Sequence, residues 1–263
     1  MTPNRTNQEE SAMDHIQKKQ RVGLLVPSSN TTQEPEFSAQ LPASVSLHVT
    51  RLALASVDPD STLKIVEELE KESRKLADAD VDVIVLAATA PSTRMGKGYD
   101  AQLIKRIEDA TGKRATTAAT AMMEAFAAMG VSRVALAAPW ASQTNGVVAA
   151  FLQAHGIEVV SQVAMEVTRN NDIGRLMPRT AFDHGLLADR PAADAIFLAC
   201  GNWWTASITE ALEARVGKPV LSTNNMAIWA VLRMLGGHAS VPGFGRLLRD
   251  MPGVPTLATG RAA

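Results

Sequence analysis

Two strand-like segments of this chain recur at one fixed spacing, and that constrains the fold more than any other feature of the sequence. Val22-Gly-Leu-Leu-Val-Pro27 is echoed 112 positions later by Val134-Ala-Leu-Ala-Ala-Pro139. Asp82-Val-Ile-Val-Leu-Ala-Ala88 is echoed at the same spacing by Asp194-Ala-Ile-Phe-Leu-Ala-Cys200. A Gly-Lys pair follows in each case, Gly112-Lys113 and Gly217-Lys218, now 105 positions apart, so a few residues were lost in between. Any one apolar run resembles another by chance, but two matches at one offset and in one order indicate a duplication.

The segments between the echoes have a helical period. Residues 62–79 carry Leu63, Val66, Leu69 and Leu76 on one face, with Asp60 and Ser61 as candidate caps, and residues 101–111 read as a helix that Gly112 stops. Residues 21–26, 45–54, 81–87 and 134–138 read as strands. After each Gly-Lys pair come a short strand, a polar turn and an apolar helix ending near Gly130 or Gly236. Strands apolar on both faces and separated by helices imply parallel sheets covered on both sides. The expected fold class is therefore α/β, as two pseudo-symmetric halves that are each a mostly parallel sheet flanked by helices. The halves span residues 21–130 and 131–250, between a loose N-terminal tail (1–20) and a C-terminal tail (251–263). Ligands of parallel α/β sheets sit outside the carboxyl ends of the strands. The site should then lie in the cleft between the halves, at the loops after Val26 and Ala138 and at Ala88 and Cys200.

Composition narrows the partners. With 26 Lys+Arg against 27 Asp+Glu, net charge −1, nothing favours nucleic acid or an anionic membrane. No apolar run approaches the roughly 20 residues that span a bilayer, and residues 1–20 lack the apolar core of a signal peptide. A single cysteine rules out an internal disulfide framework and a thiolate zinc site, and the five scattered histidines have no i,i+4 pair, so no metal is expected. A free thiol fits a reducing cytoplasm.

Cys200 is the sharpest chemical feature. It ends a strand and precedes Gly201-Asn202, where backbone N–H groups can cradle an anion and stabilise a thiolate, leaving the sulfur a nucleophile or a proton donor. The alternative is a small buried core residue; strand-end position and the glycine favour chemistry. The loop Pro27-Ser28-Ser29-Asn30-Thr31-Thr32 offers hydroxyls and an amide that could hold a carboxylate, or could equally be turn and cap chemistry. Asn170-Asn171-Asp172-Ile173-Gly174 reads as a polar turn. Arg94-Met-Gly-Lys-Gly98 matches no phosphate-loop spacing.

GLLVPSSNTT at positions 23–32, the strand-end pair Ala88 and Cys200, and the Gly112 and Gly217 junctions resemble the aspartate/glutamate racemase superfamily. Within it, the branch holding maleate cis-trans isomerases and arylmalonate decarboxylases is the most similar. The likeness runs from about Arg21 to Arg249. PSSNTT resembles the isomerases, as does Asn202; Cys200-Gly201, Thr205 and the ending Pro242-Gly-Phe-Gly-Arg-Leu247 resemble the decarboxylases.

The resemblance implies a cofactor-independent enzyme acting on a small dicarboxylate, with a homo-oligomer as the family expectation. Racemases and isomerases of the superfamily use two cysteines, one per half, and the repeat puts the first at Ala88 here. Arylmalonate decarboxylases keep only the second. By resemblance, Cys200 is catalytic, Thr89 and the Gly201 N–H help form an oxyanion hole, and Asn30 and Asn170 hold carboxylates. Trp140 stands where the family often has Tyr and cannot donate an O–H; Ala90 replaces a hydroxyl residue. Met122, Val148, Trp203 or Trp204 could furnish an apolar wall. The first reading is decarboxylation of a malonate-like di-acid through an enediolate protonated by Cys200. The others are a maleate-type isomerase working with one thiol and a non-catalytic carboxylate-binding protein.

Overall fold

The computed structural model describes residues 19–54, 65–237 and 240–253 of the chain. Both tails therefore fall largely outside the described residues, as do Asp60 and Ser61. Among the described residues, eight strands form two four-stranded sheets, all parallel. In the first sheet β1 (Gln20–Pro27), β2 (Val45–Leu52), β3 (Val83–Leu86) and β4 (Arg114–Thr117) lie in the order β2-β1-β3-β4. In the second, β5 (Arg133–Ala138), β6 (Glu158–Ala164), β7 (Ala195–Leu198) and β8 (Val220–Ser222) lie in the order β6-β5-β7-β8. Among the described residues no helix is long and apolar enough to cross a membrane.

The repeat in the sequence is a repeat in hydrogen-bond register. Val22 pairs with Val83 and Leu25 with Leu86; at the 112-residue spacing, Val134 pairs with Ala195 and Ala137 with Leu198. The bonds that close each pair of strands match as well. Ala87 N donates to Leu25 O at 3.0 Å, and Ala199 N to Ala137 O at 2.9 Å. Ile84 pairs with Ala115 and Ile196 with Val220, which carries the 105-residue spacing into the fourth strands. Ala88 and Cys200 thus end equivalent strands.

The central strands of the first sheet, β1 and β3, divide their side chains between two cores, as the twofold period requires. Val22, Leu24, Val26, Val83 and Val85 join a cluster that continues through the second sheet. Leu25, Ile84 and Leu86 face a smaller cluster with Leu69 and Leu76 of α2 (Leu69–Asp78) and Leu103 and Ile107 of α4 (Tyr99–Thr111). The first helix, α1 (Gln33–Gln40), and the short α3 (Thr89–Thr93) follow β1 and β3. Between the halves, α5 (Ala118–Ala128) packs on α10 (Thr223–Met234). The remaining helices of the second half are α6 (Ser142–Ala154), α7 (Asn170–Gly174), α8 (Pro178–Ala188), α9 (Thr209–Val216) and, after α10, α11 (Arg246–Asp250).

Three local expectations are corrected. Of the helix expected over residues 62–79, residues 62–64 lie outside the described residues and 65–68 are turn: the Val66 carbonyl accepts from Leu69 N at 3.4 Å and from the Arg106 guanidinium at 2.7 Å. No turn separates β4 from α5 or β8 from α10: Thr117 and Ser222 end their strands and cap their helices, accepting from Thr120 N at 3.1 Å and Asn225 N at 3.2 Å. Residues 170–174 are a helical turn rather than an open one. The decarboxylase-like ending is a tether to α9, since Glu213 accepts from Arg246 N, and a side chain at Gly245 (φ 92°) would strike Thr209.

Asp194 joins β7 to β5 by accepting from Ser132 N, Arg133 N and, at 2.7 Å, the Arg133 guanidinium, which holds its carboxyl well below the usual carboxylate range. A depressed folded-state value stabilises the fold above the ordinary carboxyl value of 3.8 and ceases to do so as pH falls below it. Asp194→Asn should therefore lower the unfolding free energy by about 1 kcal/mol at pH 7, with the gap closing below pH ~4; denaturant titrations across pH check this.

Candidate active site

The carboxyl ends of β1, β3, β5 and β7 open onto one cavity, with about 360 Å³ of empty space including its mouth. The first half contributes Pro27, Asn30, Leu54, Ala87, Ala88, Thr89, Ala90 and Pro91; the second contributes Trp140, Asn170, Cys200, Gly201 and Asn202. All seven residues singled out from the sequence line it. Met122 and Val148 do not: both are buried in the shared core. Trp203 and Trp204 also point elsewhere, donating their indole N–H to Thr180 Oγ1 and Gly174 O, both at 3.0 Å. The apolar wall is instead Leu54, Ala88, Ala90, Pro91 and Trp140. Among the described residues no three His, Cys, Asp or Glu side chains gather as a metal site would need.

Cys200 is 4% exposed, and its backbone has φ 145°, a region that favours glycine. It lies just after β7, where a turn is closed by Trp203 N donating to Cys200 O at 3.3 Å. Its thiol is pushed up to about 12 by burial, against the opposing pull of the Asn202 and Trp203 N–H groups. The expectation of a stabilised thiolate is thus corrected: the N–H donors are present, but loss of water outweighs them. The resting group is a neutral thiol.

Around the thiol, the polar side chains have defined partners. Asn30 Oδ1 accepts from Thr32 N and Gln33 N, each at 2.9 Å, and its amide donates to Gln33 Oε1 at 2.7 Å. One amide hydrogen of Asn30 is left for a ligand. The amide of Asn170 donates to Ser29 Oγ at 2.8 Å across the two halves. Trp140 donates its N–H to Asn145 Oδ1 at 2.6 Å, so it gives the cavity only a ring surface. Of the hydroxyls in the first loop, Ser28 and Ser29 bind the Leu54 backbone and Thr32 binds Asn202 O, which assigns them to loop closure.

Behind the cavity lies a set of residues that the sequence did not single out. Glu36 of α1 is 3% exposed and reaches across to the segment after Cys200. Its Oε1 accepts from Thr205 N at 2.6 Å and Ala206 N at 2.7 Å, and Oε2 from the amide of Asn224 at 2.7 Å. Burial raises its pKa, and these donors only partly offset that. Asn224 also donates to Gly201 O at 3.1 Å. Gln33 links Asn224 Oδ1 at 3.2 Å to Ala87 O at 2.7 Å. A Cβ at Gly201 would lie 2.3 Å from Gln33 Nε2, which is why glycine follows the thiol. The only sequence signal for this set was its nearness to the two strand ends.

Comparison with known proteins yields one consistent neighbourhood. The family model described as arylmalonate decarboxylase matches residues 22–248. The sequence is 31% identical over 243 residues to the maleate isomerase of Pseudomonas putida, covering 87% of this chain and 96% of the relative. It is 30% identical over 232 residues to the arylmalonate decarboxylase of Bordetella bronchiseptica, with the same 87% and 96% coverage. Among solved structures, a Pseudomonas putida maleate isomerase is similar at a TM-score of 0.84 and 29% identity, covering 89% of this chain and 100% of that one. A mutant arylmalonate decarboxylase in its liganded form is similar at 0.83 and 28%, covering 88% and 100%.

The raised thiol value has a direct consequence. Alkylation of Cys200 by iodoacetamide should be slow at neutral pH and keep accelerating well past an ordinary thiol's value of 9.0, toward about 12. A plateau reached below pH 9 contradicts the desolvated thiol.

Proposed function

The chain belongs to the arylmalonate decarboxylase family, and we propose that its reaction is cofactor-independent loss of carbon dioxide from a malonate-like di-acid, with Cys200 returning the proton. One observation carries this reading: of two equivalent strand ends at one cavity, one bears the Cys200 thiol and the other the methyl group of Ala88. An enzyme that inverts a centre with two thiols needs an acid or base on each face. Here only one face has one.

In this reading, Thr89, Asn30, Asn170 and the Gly201 N–H hold the carboxylate that stays. The departing carboxylate lies against Leu54, Ala88, Ala90, Pro91 and the Trp140 ring, where an ionic group is poorly solvated and neutral carbon dioxide is not. The bond from the α carbon to that carboxyl carbon breaks, and its electron pair enters the remaining carboxylate as an enediolate. Fixed donors aimed at the developing charge each contribute about 3 kcal/mol in comparable sites. Cys200 Sγ–H then transfers its proton to carbon, and the thiolate is reprotonated by solvent, so one proton is consumed per turnover. A neutral resting thiol suits this step.

The second reading, isomerisation of a small unsaturated di-acid, is favoured by Asn30, Asn170 and Asn202 lining one cavity and by the 31% identity to a maleate isomerase. It asks Cys200 to start as a thiolate that adds to carbon, whereas decarboxylation starts from the neutral thiol.

Proton NMR in deuterated water separates the readings. With phenylmalonate, the expected result is loss of carbon dioxide and one deuteron at the α carbon. Conversion of maleate to fumarate without such loss favours the isomerase, and binding without turnover favours a carboxylate-binding protein. Cys200→Ala should lose turnover by at least 100-fold while still binding the di-acid; full activity in this variant contradicts both catalytic readings. Ala88→Cys should add face-switched protonation, measurable by chiral analysis of the 2-phenylpropionate formed from methylphenylmalonate.

A further inference from the structure

Thr223 opens α10 directly behind the cavity and is 3% exposed. Its hydroxyl oxygen has two partners among the described residues. The peptide N–H of Cys200 donates to it at 3.2 Å, and Thr89 Oγ1, from the other half of the chain, lies at 3.1 Å. A peptide N–H only donates, so toward Cys200 the Thr223 oxygen accepts. The hydrogen of Thr223 must then go to Thr89, because otherwise it is a buried donor with no acceptor. Thr89 Oγ1 in turn accepts from Thr223, and its own hydrogen is left for the cavity that Thr89 lines.

We propose that Thr223 is a positioning residue that aims the Thr89 hydroxyl into the cavity as a hydrogen-bond donor to a bound carboxylate. The inference rests on the reading that the cavity takes a carboxylate, and adds to it a residue outside the cavity lining. The three groups form a directed chain, from the Cys200 N–H through the Thr223 hydroxyl to the Thr89 hydroxyl. Each link polarises the next, so the last donor is stronger than an isolated threonine and is fixed before the ligand arrives. The same chain spends the Cys200 N–H, which removes that group from the donors available to substrate. It also couples the thiol-bearing turn of one half to the carboxylate-holding turn of the other.

A double-mutant cycle tests the coupling. Thr223→Val keeps the shape of the side chain and removes its hydroxyl; Thr223→Ser keeps the hydroxyl. The probes are phenylacetate, for binding by calorimetry, and phenylmalonate, for carbon dioxide release. Thr223→Val should weaken phenylacetate binding about fivefold and lower kcat more than it raises KM, because the enediolate carries more charge on the bound oxygens. Thr223→Ser should remain within twofold of wild type on both. Thr89→Val combined with Thr223→Val should be no worse than Thr89→Val alone, since one residue acts through the other. Multiplied losses in the double variant, or wild-type binding by Thr223→Val, overturn the proposal. So does a loss in Thr223→Ser, a result that decides the matter even if the valine variant does not fold. Absence of phenylacetate binding by the wild-type protein also overturns it. Tight phenylacetate binding without carbon dioxide release from phenylmalonate counts against decarboxylation, while the binding cycle still judges Thr223.

Discussion

The carboxylate of Glu36 is the interaction on which the cavity depends. It leaves α1 in the first half and ends among backbone donors of the second, bonded to Thr205 N, Ala206 N and the Asn224 amide. Taking a carboxylate out of water is costly unless donors replace the water, so this contact tolerates little displacement. Through Asn224 it reaches the Gly201 carbonyl, and through Gln33 it reaches Ala87, so the two equivalent strand ends are held by one connected set of side chains. The position of Cys200 against Ala88 follows from that set and from the shared strand register.

Local burial then decides what the thiol is. A sulfur beside two peptide N–H groups could have been acidic, but its near-total removal from water reverses the balance. The strained backbone at Cys200 is consistent with a position kept for chemistry rather than packing, since a glycine would occupy φ 145° without strain. The methyl of Ala88 and the Trp140 ring, its N–H turned to Asn145, give the same cavity apolar lining. The contrast between amide and apolar lining is what the proposed decarboxylation uses.

Much of this was legible in the sequence because it is written twice. The 112-residue spacing predicted which strands are equivalent, and the rule that ligands sit at the carboxyl ends of parallel strands pointed to the loops after Val26 and Ala138 and to Ala88 and Cys200, whereas Thr89, Gly201, Asn30, Asn170 and Trp140 were implied by the family resemblance; all seven line one cavity. What stayed hidden were interactions between residues remote in sequence. Glu36 reads locally as an acidic residue in the first turn of a helix, and Thr223 and Asn224 read as turn residues. Their partners lie 169 residues away for Glu36 and 134 for Thr223, and no local pattern encodes such a pairing. The state of the thiol was hidden for another reason: it is a difference between two opposing effects, and only coordinates give the weight of each. The apolar wall was not legible: Met122, Val148, Trp203 and Trp204 were candidates for it, and only coordinates show that the two tryptophans have N–H partners that turn them away.

The central claim is that a single acid, Cys200, protonates the carbon from one face only. The most direct measurement is chiral analysis of the monoacid formed from a malonate whose α carbon bears two different substituents, methyl and phenyl. The account predicts one enantiomer in large excess, formed with one equivalent of carbon dioxide. A racemic product would contradict it, because it would require a second proton donor on the face that Ala88 occupies.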